Sequence, residues 1–183
     1  SSRRYCRDIF FMLDASESNK NGFDGIKSII GNLADLALKD SMRRVGLISF
    51  SSHRRQRIVF DVSEPRDNTT SEVFHTRLDD LSFSGGITEL GSALSLVRDL
   101  LANESSFGTI KPLDIVLFTD GYSFDDPTHS SRFLLQSGHR IYVVGLFTNI
   151  LRSELDSVTG DPSRVYSTLD EVEDLANRLA SCL

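Results

Sequence analysis

The sequence predicts an α/β domain built on a doubly wound, mostly parallel six-stranded sheet, with one antiparallel edge strand and helices on both faces. Three observations predict it. Apolar strand-like runs alternate with runs whose apolar residues recur at helical spacing, the rhythm of a parallel sheet covered by crossover helices. The runs at 8–13 and 113–118 are apolar almost throughout, as strands buried on both faces are. Only a short loop separates the runs at 45–50 and 57–60, which suits a hairpin and makes the second of them antiparallel.

In chain order, the first strand is Asp8-Ile9-Phe10-Phe11-Met12-Leu13. A helix follows over 23–38, with Phe23, Ile26, Ile29, Ile30, Leu33, Leu36 and Ala37 on one face. Val45-Gly46-Leu47-Ile48-Ser49-Phe50 is the second strand and 57–60 the third. Helices are expected over 71–81 and 90–101, and then a strand over 113–118. Pro127 opens the next helix in its first turn, and that helix runs to 137, ahead of Gly138. The fifth strand covers 140–147. A short helix over 151–158 stops at Gly160-Asp161-Pro162. A brief edge strand at 165–167 and a last helix over 169–179 complete the order. No linker, low-complexity tract or internal repeat interrupts it, so residues 1–183 read as one domain.

A chain of 183 residues can bury a sizeable core, and its 39% hydrophobic and 25% charged residues are those of a folded globular protein. The net charge of −6 argues against a nucleic-acid partner, which selects a basic face. No apolar run approaches the roughly 20 residues that a membrane span needs, so direct membrane insertion is not expected. The chain opens Ser1-Ser2-Arg3-Arg4 without an initiator Met and reads as a mature or excised piece. Its two cysteines, Cys6 and Cys182, sit at opposite ends, which points to a disulfide clasp across the termini. Closing a loop of roughly 175 residues stabilises by about 5 kcal/mol in the chain-entropy account. Such a bond belongs to an oxidising, extracellular compartment. The glycosylation sequons at Asn68-Thr69-Thr70 and Asn103-Glu104-Ser105 point the same way. With no unpaired cysteine and no heptad pattern, the isolated domain is expected to be monomeric.

Three segments carry the chemistry, each just after a strand or just before a helix. They are Asp14-Ala15-Ser16-Glu17-Ser18, Gly85-Gly86-Ile87-Thr88-Glu89-Leu90-Gly91 and Thr119-Asp120-Gly121. In open doubly wound sheets, ligands bind outside the carboxyl ends of the strands, at a topological switch point. If the first and fourth strands are neighbours, Asp14 and Asp120 emerge there side by side. Asp14, Ser16, Ser18, Thr88 and Asp120 offer only oxygen, which suits a hard cation such as Mg2+, with Mn2+ or Ca2+ as alternatives. No His or Cys stands near these positions, which argues against zinc. Three of the five donors are neutral hydroxyls, so a cation held there keeps much of its charge and attracts a carboxylate from a partner.

These segments resemble the metal-ion-dependent adhesion site of von Willebrand factor A domains and integrin inserted domains: Asp-x-Ser-x-Ser, a Gly-Gly-x-Thr loop and a strand-ending Thr-Asp-Gly, in that order. The resemblance extends over Arg44–Ser51, over Thr119-Asp120-Gly121-Tyr122-Ser123-Phe124-Asp125-Asp126 and over Val143-Val144-Gly145, and the terminal cysteines resemble those of extracellular members. It implies a Rossmann-like fold in which Asp14, Ser16, Ser18, Thr88 and Asp120 coordinate the metal. It also implies a non-enzymatic adhesion module, whose partner is a matrix protein, a receptor or another copy of the chain, bound through an acidic residue. One departure stands at Leu90, where members often carry a second Thr. Glu89 and Tyr122 fall at the rim, where Glu89 either raises cation affinity or repels an acidic partner.

Two other functions compete with this one. One is a structural or interaction domain that binds through a metal-independent face. The other is a Mg2+-dependent phosphotransferase or phosphatase with Asp14 as nucleophile, similar to the haloacid dehalogenase-like family. That family usually has an acid/base Asp two residues after the nucleophile, where this chain has Ser16. The basic stretch His53-Arg54-Arg55-Gln56-Arg57 reads first as a solvated hairpin that protects an edge strand with charge. Its functional alternative is a patch for heparin or an acidic partner. Asp79, Asp80, Asp125 and Asp126 are taken as surface or capping carboxylates, the four histidines show no ligand spacing, and the phenylalanines are assigned to the core.

Overall fold

The computed structural model describes residues 6–105 and 111–182, so the opening Ser1-Ser2-Arg3-Arg4 lies outside it. Six strands and six α-helices follow one another as β1 (Asp8–Asp14), α1 (Phe23–Leu38), β2 (Val45–Phe50), β3 (Gln56–Phe60), α2 (Ser71–Asp79), α3 (Leu90–Ser105), β4 (Leu113–Phe118), α4 (Thr128–Gln136), β5 (Arg140–Val144), α5 (Arg152–Thr159), β6 (Val165–Tyr166) and α6 (Leu169–Ala180). The strands form one sheet in the order β3-β2-β1-β4-β5-β6. All pairings are parallel except β2 with β3, the edge hairpin.

β1 explains the layering. Its seven residues are all buried. Ile9, Phe11 and Leu13 pack toward α1, α2 and α6, while Phe10 and Met12 pack toward α3, α4 and α5. Alternate residues of a strand point to opposite faces, so an apolar side chain at every position from Ile9 to Leu13 requires a helical layer on each side. The helices meet this with one apolar stripe each. Ile26, Ile30 and Leu33 of α1 serve the first layer, and Ala93, Leu94 and Val97 of α3 serve the second. Burying a side chain of this size contributes about 1.5–3 kcal/mol.

The structure departs from the sequence reading at the element ends. β5 stops at Val144, three residues short of the expected end. Its ladder with β4 closes at Phe118 opposite Val144, and the next residue, Gly145, donates its N–H to Tyr166 O. Leu146 and Phe147 then pack against the α1 layer instead of extending the strand. α3 is longer than expected and runs to Ser105. A 3-10 helix over Glu17–Gly22, unannounced in the sequence, leads from β1 into α1. Among the described residues, Phe124 and Phe133 are exposed and depart from the expected core assignment, and Phe107 lies outside the described residues.

The pole at the amino ends of the parallel strands is lashed by charge and by a covalent bond. Buried Arg43 donates to Arg7 O at 2.6 Å and to Leu179 O at 2.7 Å, and it lies 3.9 Å from Asp114. Arg44 pairs with Asp8 at 2.9 Å. Cys6 and Cys182 form a disulfide with their Cα atoms 4.6 Å apart, which ties the lead into β1 to the end of α6. His139 is buried next to this pole, and its Nδ1 accepts from the Leu113 N–H at 3.1 Å. Burial, and secondarily the Arg7 guanidinium, hold the His139 imidazole below its ordinary pKa.

Two stability predictions follow from this pole. Reducing the disulfide, or replacing both cysteines with Ser, should cost about 2–5 kcal/mol and lower Tm by about 5–20 °C for a domain of this size; calorimetry with and without reductant checks it. His139 contributes stability that is complete above the ordinary His pKa and is lost below it, because the unfolded chain then takes up a proton that the folded site refuses. Tm should therefore fall between about pH 7 and about pH 5, and His139→Gln should flatten that slope; a slope unchanged in the variant would remove His139 as its cause.

Candidate metal centre

β1 and β4 lie side by side at the middle of the sheet, where the strand order runs outward in both directions. Their carboxyl ends therefore open the switch-point crevice. Asp14, the last residue of β1, has no accessible surface. Its Oδ1 accepts from the Ser16 N–H at 3.0 Å, and its Oδ2 accepts from the Thr119 hydroxyl at 2.7 Å. The Thr88 hydroxyl donates to Ser16 Oγ at 2.6 Å, and Ser16 Oγ lies 3.3 Å from Ser18 Oγ. Asn19, also buried, donates to Asp14 O at 3.3 Å and braces the turn from below. Asp120 leaves the end of β4, and its Oδ1 accepts from the Tyr122 N–H at 3.0 Å.

The three loops interlock through their backbones. Gly85 N–H donates to Ala15 O, and Glu17 N–H donates to Gly86 O, each at 3.0 Å. Gly85 and Gly86 take φ of +72° and +84°, a region that L side chains rarely adopt, which is why this loop needs glycines. The loop leaving β4 then caps α3. The Asp125 carboxylate accepts from the N–H groups of Gly91 and Ser92, both at 2.8 Å, and Ser123 Oγ accepts from Leu90 N–H at 3.0 Å. An acidic cap satisfies otherwise orphaned donors and complements the helix dipole. Phe124 N–H donates to Thr88 O at 2.9 Å, so the cap also positions Thr88 against Ser16.

Burial raises the Asp14 carboxyl above its ordinary pKa and the Asp120 charge adds to this, while the hydrogen bonds from Ser16 and Thr119 act in the opposite direction. Among the described residues, no ion pair reaches Asp14 or Asp120. Two neighbouring carboxylates, three converging hydroxyls and no resident cationic side chain fit a hard divalent cation. Ser18 is exposed, so the cluster is open to solvent on one side. A groove of about 610 Å³ runs from it, lined by Ser18, Asn21, Asp120, Tyr122, Phe147 and Asn149.

Of the residues singled out in the sequence, Asp14, Ser16, Ser18 and Thr88 come together through hydrogen bonds, with Asp120 beside Asp14. Tyr122 stands at the rim and donates its hydroxyl to Asn149 Oδ1 at 3.3 Å. Glu89 turns toward the β2–β3 hairpin, where its Oε1 accepts from the His53 N–H and lies 2.9 Å from the His53 ring nitrogen. Asn68 is exposed on a 3-10 turn, and its sequon's Thr70 caps α2. Asn103 is exposed on α3, and the Ser105 side chain of its sequon lies outside the described residues. Sequence reasoning missed the orienting roles of Asn19, Thr119 and Ser123, whereas Asp125, read as a surface or capping carboxylate, does cap α3. Thr119 stood within a recognised motif, and its position directly before Asp120 was the available signal.

The family model described as von Willebrand factor type A domain matches residues 8–179. Over an alignment of 190 residues, the chain is 30% identical to mouse von Willebrand factor A domain-containing protein 2, covering 96% of this chain and 23% of that protein. It is 25% identical over 170 residues to the collagen alpha-1(XXI) chain of Xenopus laevis, covering 91% and 17%. The chain thus spans less than a quarter of the length of either relative. Proximal thread matrix protein 1 from the mussel byssus, in a structure with a zinc-occupied MIDAS motif, superposes with a TM-score of 0.76 at 20% identity, over 97% of this chain and 48% of that one.

A buried carboxylate with no cation beside it destabilises the fold that holds it. In the presence of chelator, Asp14→Asn should therefore unfold about 2–4 °C above the parent chain, which corresponds to about 1 kcal/mol in a domain of this size. In excess Mg2+ the order should reverse. Calorimetry under both conditions measures it, and a variant less stable in both would identify Asp14 as a structural acceptor only.

Proposed function

The chain belongs to the von Willebrand factor type A domain family, and from that premise we propose that it is a divalent-cation-dependent protein-binding module. In this proposal Asp14, Ser16, Ser18, Thr88 and Asp120 hold the cation, Mg2+ before Mn2+ or Ca2+, and an acidic residue of the partner completes its coordination. One observation carries the proposal: the fully buried Asp14 carboxylate lies next to Asp120, without a cationic side chain, beneath a solvent-open rim.

The chain's own groups prepare that arrangement. Thr119 and the Ser16 N–H orient the two Asp14 oxygens. The Asp125 cap on α3 and the backbone bond from Phe124 hold Thr88 in place, so the hydroxyls need little rearrangement. A bound divalent cation would supply positive charge that two carboxylates and neutral hydroxyls leave partly uncompensated, and hence an attraction for a third carboxylate. Around that point Ile87, Tyr122 and Phe124 are 43%, 44% and 79% exposed, an apolar rim of the kind that protein interfaces cover.

The location is extracellular: a disulfide closes the domain and a collagen is among its relatives. A matrix protein or receptor is accordingly the proposed class of partner. The zinc-occupied motif of the mussel byssus protein supports divalent-cation binding by this fold. A non-enzymatic role accords with Ser16, which stands where a phosphotransferase of the haloacid dehalogenase kind places its proton donor.

Calorimetric titration of Mg2+ into the EDTA-stripped chain tests the site. The parent chain should give a saturable signal that Asp14→Ala abolishes and Glu89→Gln retains. A signal of equal affinity in Asp14→Ala would place the cation elsewhere and defeat the proposal.

A further inference from the structure

The chain carries two N-glycosylation sequons, Asn68-Thr69-Thr70 and Asn103-Glu104-Ser105, and the fold treats them differently. Asn68 ends the 3-10 turn Arg66–Asn68, between β3 and α2, and is exposed. Its backbone N–H donates to Pro65 O at 2.9 Å, while its side-chain amide has no partner among the described residues. Asn103 lies within the closing turns of α3 and is engaged within the fold. A group attached to the Asn68 amide therefore displaces no contact.

The turn that carries Asn68 is held firmly. The Arg66 guanidinium donates to Thr69 O at 3.0 Å and to Leu38 O at 2.8 Å, which ties the segment to the end of α1. Thr69 is buried, and the Thr70 hydroxyl accepts from the Val73 N–H at 3.2 Å as the cap of α2. These bonds fix the place of Asn68 relative to the cation site. α1 follows the Asp14 turn and runs for 16 residues, about 24 Å at the helical rise, before it reaches Leu38. Asn68 thus stands toward the pole of the amino strand ends, the end closed by the disulfide, and roughly a helix length from Asp14.

We propose that Asn68 carries an N-linked oligosaccharide, and that the fold places it away from the cation site. The donor is an oligosaccharide on a polyprenyl diphosphate. A bond forms between the Asn68 amide nitrogen and the anomeric carbon of the first sugar, the bond from that carbon to the diphosphate oxygen breaks, and the amide gives up one proton as the diphosphate leaves. The oxidising compartment that forms the Cys6–Cys182 bond belongs to the same secretory route. In the folded chain the Thr70 hydroxyl is committed to the α2 cap and Thr69 is buried, so the sequon can no longer be drawn out as an extended segment. Transfer accordingly precedes the folding of this segment, and the finished turn then presents the sugar to solvent. A bulky hydrophilic chain at this pole leaves the opposite pole uncovered.

The test is mass spectrometry of the disulfide-intact chain secreted from eukaryotic cells. Release with peptide-N-glycosidase in heavy-oxygen water converts a glycosylated Asn to labelled aspartate. The tryptic peptide 67–77, which holds no other Asn, should carry that label at position 68. Its recovery unlabelled, or a glycan confined to Asn103, would overturn the proposal. Asn68→Gln should lose the label and keep the Tm of the enzymatically deglycosylated parent, since the α2 cap is intact. Thr70→Ser should keep both label and cap. Thr70→Ala should lose the label and lower Tm by about 2–4 °C through loss of the cap. A label that survives Thr70→Ala would overturn the assignment to this sequon.

Discussion

Asp14 keeps a carboxylate at the end of a strand buried at every residue, with hydrogen bonds to both of its oxygens and, among the described residues, no ion pair to a positive side chain. Ionisation there is opposed by burial and by Asp120, and a hydroxyl and an amide only partly offset the lost hydration. Much of the surrounding architecture can be understood as holding this charge in place. β1 must be buried on both faces to bring Asp14 to the middle of the sheet, β4 must lie beside it to bring Thr119 and Asp120, and the glycine loop must fold over it to bring Thr88. A carboxylate and hydroxyl cluster made this way is ordered in advance. The cost of desolvating the carboxylates is met during folding, by the two apolar layers that flank the sheet, and not at the moment a ligand arrives.

Rigidity in the loops matters as much as the donors themselves. Left alone, the segment leaving β4 would be a mobile connection. Instead it spends the Asp125 carboxylate and the Ser123 hydroxyl on the first amides of α3, so that helix, exit loop and glycine loop move as one body. Gly91 shows how close the approach is: a Cβ there would sit 2.6 Å from Asp126 O. The cap thus ties the first amides of α3 to the same segment whose Phe124 N–H bonds Thr88 O.

The parts of the fold and site that the sequence made legible share one property: each is decided locally or by a strong pattern. The both-face burial of β1 is written in its unbroken apolar run. The parallel order follows from the alternation of elements, and the hairpin from a loop too short for a crossover. Asp14, Ser16, Ser18, Thr88 and Asp120 were recognisable because strand ends and the glycine pair place them, and Cys6 and Cys182 because they stand at the two ends. What was not legible depends on partners distant in sequence. Asp125 could be read as a surface or capping carboxylate, but an Asp-Asp pair in a loop does not say that the amides it caps stand 34 and 33 positions earlier, at Gly91 and Ser92. The early end of β5 reflects Gly145 bonding to Tyr166 on a strand not yet formed at that point in the chain. Glu89 reads as a rim charge until the hairpin brings His53 against it. Phe124 looks like core in composition, and it is exposed because its own backbone is held at Thr88, outside either layer.

The two poles of the sheet divide the work. At the amino ends of the parallel strands, Arg43 spans from Arg7 to Leu179, and the disulfide closes the same region covalently. Buried charge is matched there by buried charge, and little is left open to a partner. At the opposite pole, among the described residues, no cationic side chain pairs with Asp14 or Asp120, no carboxylate pairs with Arg54 or Arg57, and Ile87, Tyr122 and Phe124 are partly exposed. A domain with a net charge of −6 has ample carboxylates with which to neutralise two arginines, and a chain rich in arginine has the means to neutralise two aspartates. Because the fold keeps these opposite charges about two strand spacings apart, roughly 10 Å, neither set quenches the other. That separation keeps both sets of charge at one pole of the same α/β sheet.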